Sequence, residues 1–126
     1  KVFELLKKTG AAGKCILMSG DIAHVREMQR FAAKEGKPQG LRLGVNIRYC
    51  DEEHLAKLEG YDLWELGLNA GEFSAGDVKR LADRGIRVFA NLGDTPSWWE
   101  TLETTGAAAF KTNTPSRYLA WKQAQK

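Results

Sequence analysis

Residues Ile86 to Leu119 read IRVFANLGDTPSWWETLETTGAAAFKTNTPSRYL. An apolar run ends at Asn91, and Thr95-Pro96 opens an amphipathic stretch that stops at Gly106. A second apolar run ends at Thr112-Asn113, and Thr114-Pro115 opens another helix. Pro fits the first helical position because its missing N–H is not needed there, and Gly tolerates the left-handed backbone that ends a helix. Strand, loop, helix, strand, loop, helix is the signature of parallel β/α units.

Outward from this stretch the same unit recurs at roughly 20 to 25 residues. Apolar runs occur at Lys14–Ser19, Leu41–Tyr49, Asp62–Asn69, Ile86–Leu92 and Ala107–Asn113. Between them, Ile22, Val25, Met28 and Ala32 form one stripe ending at Gly36. Asp51 caps a short helix with Leu55 and Leu58 that ends at Gly60. Ser74 with Asp77 three residues on reads as a capping box ahead of Val78, Leu81 and Ala82, closed by Gly85. Lys1–Thr9 reads as the tail of a further helix.

The chain is therefore expected to be a single α/β domain over 1–126, with about five parallel strands alternating with helices: the C-terminal half, or slightly more, of a TIM-type β/α barrel. A closed barrel needs eight strands and roughly 200 residues, so five strands leave open edges. A missing N-terminal barrel half, or copies pairing edge to edge, would cover them. An open sheet with helices on both faces is the competing arrangement. The first residue is Lys1 rather than Met, which suggests a processed or excerpted start.

Composition narrows the function classes. The chain has 126 residues, 43% hydrophobic and 28% charged, with 19 basic against 16 acidic residues and net charge +3. The charges are dispersed and no Lys/Arg block is interleaved with aromatics, so nucleic acid is not an expected partner. No apolar run approaches the ~20 residues of a membrane span, and no signal-peptide pattern opens the chain. Cys15 and Cys50 fall near opposite ends of their strands, beyond the about 7 Å within which a disulfide closes. Two free thiols and no leader favour a cytoplasmic setting.

GIRVFANLGDTP, then WWETLETTGAAAFKTNTPSRYL, resembles the C-terminal part of glycerophosphodiester phosphodiesterases, barrel enzymes of lipid-derived glycerophosphodiester metabolism. Thr112-Asn113-Thr114-Pro115 stands where the family carries Thr-Asp-x-Pro, and CILMSGD, with Ser19 and Asp21, resembles its Ser-Phe-Asp strand end. The resemblance implies phosphodiester hydrolysis with a divalent cation, Mg²⁺ or Ca²⁺. It also implies that Ser19, Asn91, Thr112 and Asn113 line the mouth. The family's His-Arg-Gly, Glu-x-Asp and second His are absent, so the main metal ligands and the acid/base pair are not in this chain. Alone it is expected to be inactive. The alternative is a non-catalytic half-barrel module that oligomerises and at most binds a small phosphate or polyol.

Other residues are read from the strand period. Glu65 and Asn69 alternate on one face of DLWELGLN and could both point into a lumen, where Glu65 reads first as a structural, hydrogen-bonded carboxylate and second as a ligand for a cation or substrate hydroxyl. Asn46 and Arg48 raise a similar question: Arg48 near a strand end could meet a phosphate bidentately, although pairing with Asp51 or Glu52 is the first expectation. Lys111 is expected on the opposite side from Thr112, toward the helices or solvent. The two histidines, His24 and His54, read as solvated helix residues. Of Trp98 and Trp99, one should pack under its helix and the other over a loop.

Overall fold

The apolar runs become strands because each sends alternate side chains into one shared interior. The computed structural model describes residues 1–91 and 93–126. Its strands are β1 (Ile16–Ser19), β2 (Arg42–Asn46), β3 (Glu65–Asn69), β4 (Arg87–Asn91) and β5 (Ala109–Phe110). Its α-helices are α1 (Val2–Thr9), α2 (Ile22–Glu35), α3 (Glu52–Ala56), α4 (Ala75–Asp83), α5 (Pro96–Thr105) and α6 (Pro115–Ala124). The expected fourth strand included Leu92, which lies outside the described residues.

The five strands are all parallel and lie in sequence order, β1-β2-β3-β4-β5. Right-handed crossovers that always advance in one direction place every helix on the same side of the sheet, whereas a doubly wound sheet must reverse its order. The core confirms this. Leu43, Val45, Leu66, Leu68 and Val88 of the sheet pack in one cluster with Phe3, Leu6, Val25, Ala32, Leu55, Val78 and Leu81 from successive helices. The arrangement with helices on both faces is thereby excluded.

Local signals account for the helix starts. Asp21 accepts from the Ala23 amide at 2.8 Å, and Asp51 from the His54 amide at 2.9 Å. Ser74 and Asp77 form the reciprocal capping box. Thr95 and Thr114 occupy the N-cap positions ahead of Pro96 and Pro115, but neither hydroxyl caps its helix. Each instead meets another hydroxyl, Ser97 Oγ at 3.1 Å and Thr112 Oγ1 at 3.4 Å. A proline at the start already removes one of the orphan donors that a cap would satisfy.

Trp99 is buried and its Nε1–H donates to the Gly93 carbonyl at 2.7 Å, while its ring meets Tyr118 and Trp121 of α6. Trp98 lies outward over the β3–α4 loop, where a Cβ on Gly71 would stand 2.9 Å from its ring. Both cysteines are free, Cys50 buried and Cys15 partly so. Among the described residues no helix is long and apolar enough to cross a membrane.

Candidate functional site

The uncovered face of the sheet corresponds to the lumen of a barrel. Strand parity sets what it displays: Arg42, Gly44 and Asn46 from β2; Glu65, Gly67 and Asn69 from β3; Arg87, Phe89 and Asn91 from β4. Their neighbours Leu43, Val45, Leu66, Leu68 and Val88 belong to the core on the other side.

Near the C-terminal strand ends these residues join across the sheet. Lys111 Nζ donates to Asn91 Oδ1 at 2.9 Å, and Asn91 Nδ2 donates to Asn46 Oδ1 at 3.3 Å. The amide bridge passes over Gly67, where a Cβ would sit 1.8 Å from Asn46 Oδ1 and 3.4 Å from Asn91 Nδ2. Gly67 is thus required by a close approach of side chains. Gly44 serves Glu65 in the same way, since a Cβ there would lie 2.5 Å from Glu65 Cγ.

Glu65 is fully buried, and neither carboxylate oxygen has a hydrogen-bond partner. Burial raises its pKa by penalising the charged form, and the positive charge of Lys111 opposes that shift. A buried acceptor without donors is unusual in a folded protein and marks a place where a proton, water, ion or ligand group is wanted.

Lys111 faces this side, against the expectation that it points to helices or solvent. Phe110 turns to the helix layer, its ring 4.8 Å from Tyr118, so parity sends Lys111 inward. Thr112 and Asn113 leave the strand altogether. Thr112 Oγ1 and the Asn113 backbone amide both donate to Asp94 Oδ1, at 2.8 and 2.7 Å, and Asn113 Nδ2 donates to Oδ2 at 2.8 Å. These bonds, that from the Asn113 amide first, hold the Asp94 carboxyl below its usual range. Asp94, which sequence reading passed over, thereby clasps the loops after β4 and β5.

Ser19 ends β1 apart from this cluster. Its Oγ accepts from the Asp21 amide at 3.1 Å and lies 3.3 Å from His24 Nδ1. The turn capped by Asp21 folds the first turn of α2 back over the strand end, a proximity that sequence reading of His24 did not anticipate. Asn69 is exposed beside Asn91 in the β3–β4 register.

A cleft of about 550 Å³ opens at the ends of β1 and β2, lined by Asn46, Arg48, His54 and Lys57 among others. Each of its basic side chains already faces a carboxylate: His54 Nδ1 and Asp51 at 2.7 Å, Lys57 and Glu53 at 3.1 Å, Arg48 and Glu72 at 3.9 Å. Arg48 does not pair with Asp51 or Glu52 as expected, because Asp51 caps α3 and Glu52 is taken by Arg80.

Ca²⁺ takes six to eight oxygen ligands, and Mg²⁺ takes six, with one or two carboxylates beside waters or phosphate oxygens. Glu65 supplies one. The Asn46 and Asn91 side-chain oxygens beside it are taken by the bridge and by Lys111. Among the described residues no group of three or more His, Cys, Asp or Glu is placed to hold a metal. The residues present do not fit such an ion by themselves.

No protein-family model matches the sequence, and no curated protein matches it. Among solved structures the chain is similar to a phosphodiesterase from Oleispira antarctica determined in complex with the product sn-glycerol-3-phosphate, with TM-score 0.67 and 18% identity. The match covers 86% of this chain and 41% of that one. The fold is part of a TIM-type β/α barrel. The match thus spans about two fifths of the other protein's length, and at this identity the likeness concerns the fold.

Proposed function

We propose that this chain forms one wall of a phosphodiester hydrolase barrel, the wall that receives a small glycerophosphodiester rather than the one that cleaves it. The observation that carries the reading is the cross-strand chain Lys111–Asn91–Asn46 beside the unpartnered Glu65, set in a fold shared with a phosphodiesterase. A lysine ammonium is a point donor for phosphate oxygens, and amide and carboxylate groups suit the hydroxyls of a glycerol unit. Ser19 and Asn69 would extend this rim, with Thr112 and Asn113 shaping its loop.

Hydrolysis needs a general acid or base and, in the resembled family, a cation held by Glu-x-Asp. This sequence lacks that motif, His-Arg-Gly and the second His, so no catalytic step is assigned to it. The test is titration with sn-glycerol-3-phosphate followed by NMR, beside an assay on glycerophosphocholine with Mg²⁺ or Ca²⁺. Expected are shifts at Asn46, Asn91 and Lys111, lost in Lys111→Met, and no turnover. Turnover by these 126 residues would overturn the claim of a non-catalytic wall. Absence of any binding would overturn the ligand.

The second reading, a non-catalytic module that associates through its open edges, is favoured by exposed apolar side chains at both ends of the sheet. Val2 and Leu5 of α1 stand outward on the β1 side, and Leu119 of α6 on the β5 side.

A further inference from the structure

The N-terminal end of the lumen face carries a feature that substrate binding at the opposite end does not use. Trp64 lies there with two guanidinium groups against it: Arg42 Cζ is 4.7 Å and Arg87 Cζ 4.5 Å from the ring centroid, and the Phe89 ring meets the indole edge-on at 5.8 Å. Arg42 begins β2 and Arg87 begins β4, so the two cations straddle β3. Among the described residues neither makes an ion pair or a side-chain hydrogen bond, while other arginines such as Arg30, Arg80 and Arg84 find carboxylates.

Glu65 is the register partner of Arg87 and of Gly44, yet it lies buried with unpartnered oxygens and does not neutralise either guanidinium. With Lys111 farther up, the lumen face presents three cations to one buried carboxylate. Barrel closure brings opposing strands to within side-chain contact along the axis and excludes water from the layers between them. Like charges in such a layer are strongly unfavourable, whereas carboxylates opposite the guanidiniums form bidentate pairs. A second copy of the chain would double the imbalance, because a two-fold interface sets the same patch against itself.

We infer that the Arg42–Trp64–Arg87 platform docks a β/α segment that turns carboxylates into the lumen, and that the same platform rejects a second copy of this chain. The aromatic ring holds the two guanidiniums apart and oriented before the partner arrives, so their charge selects what completes the barrel. The inference rests on the half-barrel fold and not on the phosphodiester reading, so either can fail while the other stands.

The experiment uses the chain as its own probe. The wild type and an Arg42→Glu/Arg87→Glu variant are run separately and mixed, by light scattering after size exclusion, at about 50 mM and about 1 M NaCl. Expected are a monomeric wild type at low salt and a 1:1 complex in the mixture that weakens as salt rises. A wild-type dimer at low salt overturns the inference, as does absence of a complex from a variant with the wild-type circular dichroism spectrum. Should the charge-reversed variant not fold, Arg42→Gln/Arg87→Gln is measured instead. It is expected to self-associate about tenfold more tightly than the wild type at low salt, and equal association overturns the inference.

Discussion

Lys111 Nζ lies 2.9 Å from Asn91 Oδ1, which brings the last strand's lysine onto the face that holds Glu65. That contact ties three strand ends into one polar chain and leaves a single buried carboxylate beside it without donors.

Glu65→Gln tests the consequence for stability. Because burial raises the folded-state pKa, the neutral acid is the form the fold tolerates. No penalty exists below the unfolded value of about 4.3, and stability is lost as pH rises from there through the raised folded value. The variant escapes this loss. It is expected to gain on the wild type as pH rises from acid to neutral, because the amide carries no charge to desolvate. Urea unfolding across that range measures it, and a pH-independent difference would refute the assignment.

Gly67→Ala inserts a methyl where Asn46 Oδ1 already stands 1.8 Å away. A loss of about 1–3 kcal/mol is expected. In the Asn46→Ala background the same change should cost much less, since the obstructing atom is gone. The coupling is read from a double-mutant cycle of thermal or urea unfolding.

Asp94→Ala removes the clasp between the loops after β4 and β5. The amide of Asn113 should exchange with solvent several-fold faster, with global unfolding little changed because the site is partly exposed and outside the core. In the wild type the depressed carboxyl makes this clasp a contribution present above the ordinary carboxylate range and lost as pH falls through the folded value. Exchange rates for Asn113 and Thr114 against pH check the sign.

Trp99→Phe deletes the indole N–H that satisfies the buried Gly93 carbonyl and reduces contact with Tyr118 and Trp121. A destabilisation of about 1–3 kcal/mol is expected, whereas Trp98→Phe should cost well under 1 kcal/mol because that ring is partly exposed over a loop. Denaturant midpoints of the two variants decide it.

Period and punctuation in the sequence determined the β/α repeat, all five strands, and the caps of α3 and α4, because these depend on residues within one turn or one strand. The sequence left a half-barrel and a doubly wound sheet both open, and the strand order with all helices on one face decided for the half-barrel. The face of β3 on which Glu65 stands, opposite to core Leu66 and Leu68, was legible from the strand period. Tertiary structure alone decided that Lys111 turns inward, that Asn46 and Asn91 meet over Gly67, and that Thr112 and Asn113 serve Asp94 instead of the lumen. It also decided that Arg42 and Arg87 share one indole. Those contacts join residues 18 to 45 positions apart, so they are set by strand register and by where β5 stops, neither of which a local pattern encodes.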